Sequence, residues 1–114
     1  MIAVLFEVFL KEEHKSEYLE IAFKLKQRLQ EIEGFISIER FASLQDSNKI
    51  LSLSYWENEE SIKHWRNIVE HREGQAQGRD HVFSDYRIRV GQIIRDYGMA
   101  DRDQAPTDSK EIHQ

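Results

Sequence analysis

The chain has 114 residues, with 21 acidic and 16 basic side chains, no cysteine and a formal charge of -5. This length suits one domain that buries roughly 65% of its unfolded surface, and an acidic balance without a basic run argues against nucleic acid and anionic membrane as partners. The lack of cysteine removes disulfides, thiol nucleophiles and thiolate metal sites together, and fits a reducing compartment such as the cytoplasm.

Ile2 to Leu10 is dense in β-branched and aromatic residues, carries Glu7 in its middle and is too short to span a bilayer. It therefore reads as a strand rather than a signal peptide or membrane anchor. Ile2, Val4, Phe6, Val8 and Leu10 point one way, while Ala3, Leu5 and Phe9 point the other. From about Glu13 to Glu33 the period changes: Tyr18, Ala22, Leu25, Leu29 and Ile32 recur at helical spacing, and Gly34 supplies the stop.

Phe35 to Phe41 and Lys49 to Trp56 are strands of a hairpin, joined by a segment whose Asp46, Ser47 and Asn48 favour turns. Asn58 is the expected N-cap of a second helix, with Ile62, Trp65 and Val69 on one stripe and Glu59 and Glu60 near the positive end of its dipole. Gly74 and Gly78 weaken the helical pattern, so a break near Asn67 and a short further helix to about Arg79 are expected. Asp85 to Asp96 alternates again as the last strand. From Tyr97 the chain holds Pro106 and little apolar content, and is expected to be extended or disordered. The expected division is a domain over 1–97 and a polar tail over 98–114.

Strand, helix, hairpin, helix, strand is the ferredoxin-like βαββαβ pattern of an α+β domain, a four-stranded antiparallel sheet with both helices on one face. A solvated sheet face should alternate apolar with polar residues, and the first strand does not. The second face needs a cover, and an identical subunit is the simplest one, so a homodimer is expected.

The segment Tyr55 to Arg66, with its strand-ending Trp56, polar cap and helical Trp65, resembles the antibiotic biosynthesis monooxygenase family. The runs Glu70-His71-Arg72-Glu73 and Asp85 to Val90 and the Gly34-Phe35 step fit it as well. The resemblance covers about Ile2 to Asp96 and implies a dimeric α+β barrel that binds an aromatic or haem-like ligand between helices and sheet. Some members oxygenate polycyclic phenols without a cofactor, and others degrade haem.

The resemblance makes Trp65 a candidate catalytic residue, its indole N–H bonding a substrate oxygen; the competing reading is a core tryptophan on a helix stripe. His71 is the candidate base, able to take a phenolic proton at neutral pH, against a surface histidine in a charged run. Ser61, Phe35 and Arg87 are the candidate substrate contacts. Arg87, Arg89 and Arg95 are expected on one face of the last strand, beside Glu7 of the first; an internal pair between Glu7 and an arginine is one reading, and one arginine, Arg87 above all, stabilising an anionic oxygen is the other. Haem-degrading relatives carry Asn and His where Glu7 and Gln75 stand here, which argues against their mechanism.

The five histidines match no metal-site spacing, so no metal is expected. The reading is a cytoplasmic, cofactor-independent monooxygenase acting on a small aromatic or quinol-type molecule. A haem-binding enzyme and a non-catalytic dimeric ligand-binding module are the alternatives.

Overall fold

The computed structural model describes residues 1–67 and 83–112. Strand β1 spans Ile2–Leu10 and leads through a short 3-10 turn at Glu12–His14 into helix α1, Lys15–Leu29. The hairpin follows as β2, Phe35–Ala42, and β3, Lys49–Trp56; residues 59–67 are helical (α2), β4 is Phe83–Gln92, and a short helix, α3, covers Thr107–Ile112. The sheet is antiparallel with order β2-β3-β1-β4, the expected arrangement, in which the first strand lies at the centre beside the third and fourth.

Pairing of Val4 with Ser54 and with Val90 places even-numbered residues of three strands on one face. That face is the core: Val4, Phe6, Val8, Leu10, Ile50 and Trp56 cluster with Tyr18, Ala22 and Leu29 of α1 and with Ile62 and Trp65 of α2. The period-2 and period-3.6 stripes meet there, as their apolar residues require. Phe35 is odd-numbered, yet it pairs with Trp56, because the register shifts between Phe35 and Ser37. This β-bulge at Ile36 turns the Phe35 ring onto the core face.

The other face carries Leu5, Phe9, Leu51, Leu53 and Tyr55, all half-buried, with Phe41 more exposed. Among the described residues, the buried helical side chains Tyr18, Ala22, Leu29, Ile62 and Trp65 all cluster with the opposite, even-numbered face. Glu7 breaks the apolar character, and its carboxylate is met by Arg89 at 3.3 Å and Lys49 at 3.7 Å. The expected internal pair between Glu7 and an arginine therefore forms, with Arg89, while Arg87 faces Glu7 directly in register. Both cations are more than a third exposed, so each contact contributes at most about 1 kcal/mol.

Two expectations need correction. The last strand ends at Gln92, so Arg95 lies beyond it and does not share its face. The chain after Tyr97 is not wholly extended: α3 forms, and Arg102 bonds the Gly98 carbonyl, the Ser109 carbonyl and the Ser109 Oγ while stacking on the Tyr97 ring. One guanidinium with five donors organises what apolar periodicity does not. The expected boundary between residues 97 and 98 runs through this unit. The break near Asn67 and the short helix beyond it lie outside the described residues, and no described helix is long and apolar enough to cross a membrane.

Candidate functional site

Five aromatic side chains form a continuous line through the helix side of the sheet. Phe35 meets Trp56 edge-on at 5.2 Å, Trp56 meets Trp65 at 6.1 Å, Trp65 meets Phe6 at 6.1 Å, and Phe6 meets Tyr86 at 5.8 Å. Edge and tilted contacts at these distances are the favourable arrangements for ring quadrupoles. The line is fully buried at Trp56 and ends half-exposed on β4, where Tyr86 is 37% and Val90 48% exposed. A flat apolar ligand lying on β4 would thus touch a wall backed by Trp65.

The two tryptophans differ in one respect that bears on chemistry. The Trp56 indole N–H donates to Ser54 Oγ at 2.9 Å, a buried and satisfied pair. Among the described residues, none accepts a hydrogen bond from the Trp65 indole. Trp65 is 4% exposed, so it packs as a core residue and also keeps a donor to offer.

The other expected site residues are dispersed. Phe35 is at the inner end of the aromatic line. Ser61 belongs to the first turn of α2, where its N–H donates to Asn58 Oδ1 at 3.0 Å and its hydroxyl to the Asn58 carbonyl at 2.7 Å. Asn58 therefore caps the helix as expected. The Ser61 side chain also lies against Gly34, whose φ of +91° needs a glycine and whose missing Cβ would stand 2.6 Å from Ser61 Cβ.

Around this junction Glu31, Glu33, Glu57 and Glu60 line an open groove of about 560 Å³ with His64. No group of three or more His, Asp or Glu among the described residues is placed to hold a metal ion. Arg87 is exposed on the odd-numbered face, so the sheet separates it from Trp65 within one chain. Glu7 is on that far face too, engaged by Arg89 and Lys49. His71 and Gln75 lie outside the described residues.

Sequence reasoning passed over Phe6 and Tyr86. The signal was present: Tyr86, Ile88 and Val90 alternate with Arg87 and Arg89, which marks an apolar face on β4. Register with Phe6 and Ile88 then brings that face to Trp65.

The family model for antibiotic biosynthesis monooxygenase matches residues 1–77, about two thirds of the chain. The chain belongs to this family. A protein of Pyricularia oryzae named jasmonate monooxygenase is 43% identical over 93 residues, covering 82% of this chain and 43% of the relative. This monooxygenase-family chain thus spans under half the length of that relative. Among solved structures, a Mycobacterium tuberculosis protein matches with a TM-score of 0.70 at 10% identity, covering 85% of this chain and 98% of its own. SnoaB, a cofactor-independent oxygenase from Streptomyces nogalater, matches with a TM-score of 0.65 at 7% identity, covering 83% and 94%. Both bear on the fold, which they share with the family member described here.

Proposed function

We propose that this chain is a cytoplasmic, homodimeric monooxygenase that takes a small, flat apolar substrate on the helix side of the sheet, against Tyr86 and Val90. The observation that carries the reading is the aromatic line from buried Trp56 to half-exposed Tyr86, in which Trp65 keeps an indole N–H without an acceptor among the described residues. Trp65 bonds a substrate oxygen, and His71 takes the substrate proton. Loss of that proton makes a phenol or quinol-type substrate electron-rich enough to reduce oxygen directly. One oxygen atom becomes a carbonyl of the product and the other leaves as water with two substrate hydrogens, so the substrate is its own reductant and no cofactor is needed. Phe35 and Ser61 act at a distance, by backing Trp56 and by fixing the start of α2. Arg87 faces the dimer partner rather than the substrate of its own chain.

The similarity to a protein named jasmonate monooxygenase supports a small-molecule oxygenase and widens the substrates to try. Hydroxylating an unactivated C–H bond needs two electrons from a separate reductant, so jasmonic acid belongs in an assay with and without one. Oxygen uptake with a hydroquinone, with an anthrone and with jasmonic acid is the deciding measurement. Uptake dependent on the protein and lost in Trp65→Phe supports the reading. No uptake with any of the three, together with a haemin-induced absorption band, would replace it with the haem-binding alternative.

The dimer rests on the apolar odd-numbered face. Light scattering should report twice the chain mass at micromolar concentration.

A further inference from the structure

Both tryptophans of the chain belong to the aromatic line, and one of its four tyrosines ends it. Indole and phenol rings give up one electron far more readily than a benzene ring does, so Trp56, Trp65 and Tyr86 can each carry an electron vacancy, while Phe35 and Phe6 cannot. Trp56 and Trp65 are direct neighbours, their ring centres 6.1 Å apart. Phe6 is the single ring between Trp65 and Tyr86, at 6.1 Å from the one and 5.8 Å from the other. Electron transfer weakens steeply with separation, and ring contacts of this kind keep each step short. The inner end, at Phe35, is closed.

Protons give the line a direction. An oxidised indole is a strong acid at its N–H, and it is neutralised in place only where a base takes that proton. The Trp56 N–H donates to the Ser54 hydroxyl at 2.9 Å, a weak base, and the Trp65 N–H has no acceptor among the described residues. A vacancy on either ring therefore stays as a buried cation, which desolvation disfavours. Tyr86 differs because it is half-exposed: its phenol can release a proton to water as the electron leaves, and a neutral phenoxyl remains. The vacancy is driven outward.

The other three tyrosines are poorer outlets. Tyr18 is buried, which raises its pKa, and the Arg40 guanidinium beside it cannot accept a proton. Tyr55 is next to Trp56 in sequence, but alternation along β3 puts its side chain on the opposite face of the sheet. Tyr97 lies beyond β4, with the Arg102 guanidinium over its ring at 5.2 Å.

We propose that Trp56, Trp65 and Tyr86 form an outlet for oxidising equivalents, which carries a one-electron vacancy from the buried tryptophans to the surface at Tyr86. A peroxyl radical formed beside Trp65 takes an electron from the indole and a proton from water, and becomes a hydroperoxide. The Trp65 cation radical then takes an electron from Tyr86, whose phenol releases a proton to water. A thiol or ascorbate in solution returns a hydrogen atom to the Tyr86 phenoxyl, and the tryptophans are left unmodified. An oxygenase that forms such radicals at Trp65 thereby protects its own site, but the outlet itself does not depend on that reading.

Laser flash photolysis of the full chain, without substrate, tests the outlet. Light at the red edge of indole absorption, where tyrosine is transparent, ejects an electron from tryptophan alone, and dissolved oxygen takes that electron. Both tryptophans are in the line, so every vacancy starts there. The tryptophan radical band should decay as a tyrosine phenoxyl band grows at the same rate. Tyr86→Phe removes only the hydroxyl and keeps a ring against Phe6. In this variant the phenoxyl growth should be lost and the tryptophan radical should live several times longer, with the far-UV CD unchanged. Phenoxyl growth as large in Tyr86→Phe as in the parent, or lost in Tyr55→Phe instead, overturns the outlet. So does a parent chain in which no phenoxyl forms.

Mass spectrometry reads the protective role separately. After continued illumination with ascorbate present, oxidised Trp56 and Trp65 should accumulate several times faster in Tyr86→Phe than in the parent. Equal accumulation overturns that role.

Discussion

Trp65 stands edge-on to Phe6, the two ring centres 6.1 Å apart and the planes at 88°. Phe6 is in turn the link between the buried tryptophans and half-exposed Tyr86. Tyr86 is therefore joined to Trp65 through the Phe6 ring, and a change at Trp65 bears on both the core and the proposed site.

Trp65→Phe separates those two effects. The smaller ring keeps most of the apolar contact with Phe6 and Trp56 but leaves a cavity, so stability should fall by about 1–2 kcal/mol, a drop of about 4–16 °C in melting temperature. Loss of the indole N–H should cost a further 1–3 kcal/mol or so in substrate binding, read as a rise in KM or a loss of kcat/KM for oxygen uptake. A stability loss with kinetics unchanged would confine Trp65 to the core.

Ser54→Ala probes the neighbouring tryptophan. Ser54 is 1% exposed and supplies the acceptor for the Trp56 N–H, itself in a fully buried residue. Removing that acceptor leaves a buried donor unsatisfied, which costs about 1–3 kcal/mol, whereas Ser54→Thr keeps the hydroxyl. Chemical denaturation should show the alanine variant less stable by that amount; equal midpoints would mean that water replaces the lost acceptor.

Much of this fold was legible because its stripes are clean. The even-numbered residues of β1, the Tyr18-Ala22-Leu29 row of α1 and the Ile62-Trp65 pair of α2 each carry the period of their element, and they meet in one core. Lys49–Trp56 forms a strand with the expected ends. Register and faces were harder to read. The placement of Phe35 depends on a bulge at Ile36 that no local pattern announces, and the separation of Arg87 from Trp65 depends on which face of β4 meets the helices. The α3 helix escaped notice because it is fastened by Arg102, through a hydrogen-bond pattern rather than an apolar period.

Gly34→Ala tests the junction between α1 and the hairpin. The new Cβ would have to adopt a φ of +91° and would stand 2.6 Å from Ser61 Cβ, so the cost combines backbone strain of about 1–2 kcal/mol with a clash. The Gly34→Ala/Ser61→Gly double variant relieves only the clash. It should regain part of the lost stability despite the roughly 0.5–1 kcal/mol that glycine costs in a helix; no recovery would assign the whole penalty to the backbone.

Tyr18 gives the chain a distinctive alkaline limb. Burial at 7% exposure pushes its phenol above the ordinary value of 10.0, because the phenolate would lose its hydration, and the nearby Arg40 guanidinium offsets part of that rise. Between the unfolded and the raised folded value, the unfolded chain gives up this proton while the folded chain holds it. The folded state then binds more protons, so stability falls as pH rises through this window and is fully retained below about 10. Tyr18→Phe removes this proton while keeping the ring in the α1 stripe. At pH 8 the variant should be less stable by roughly 1–3 kcal/mol, since Arg40, whose Nε is already buried without a partner, loses the hydroxyl as well. Between pH 8 and 11 it should lose less stability than the parent chain, and exposed lysines and the other tyrosines cancel in that difference. Urea midpoints measured across this range decide the matter: curves that stay parallel would show that Tyr18 ionises alike in both states and that its burial carries no proton linkage.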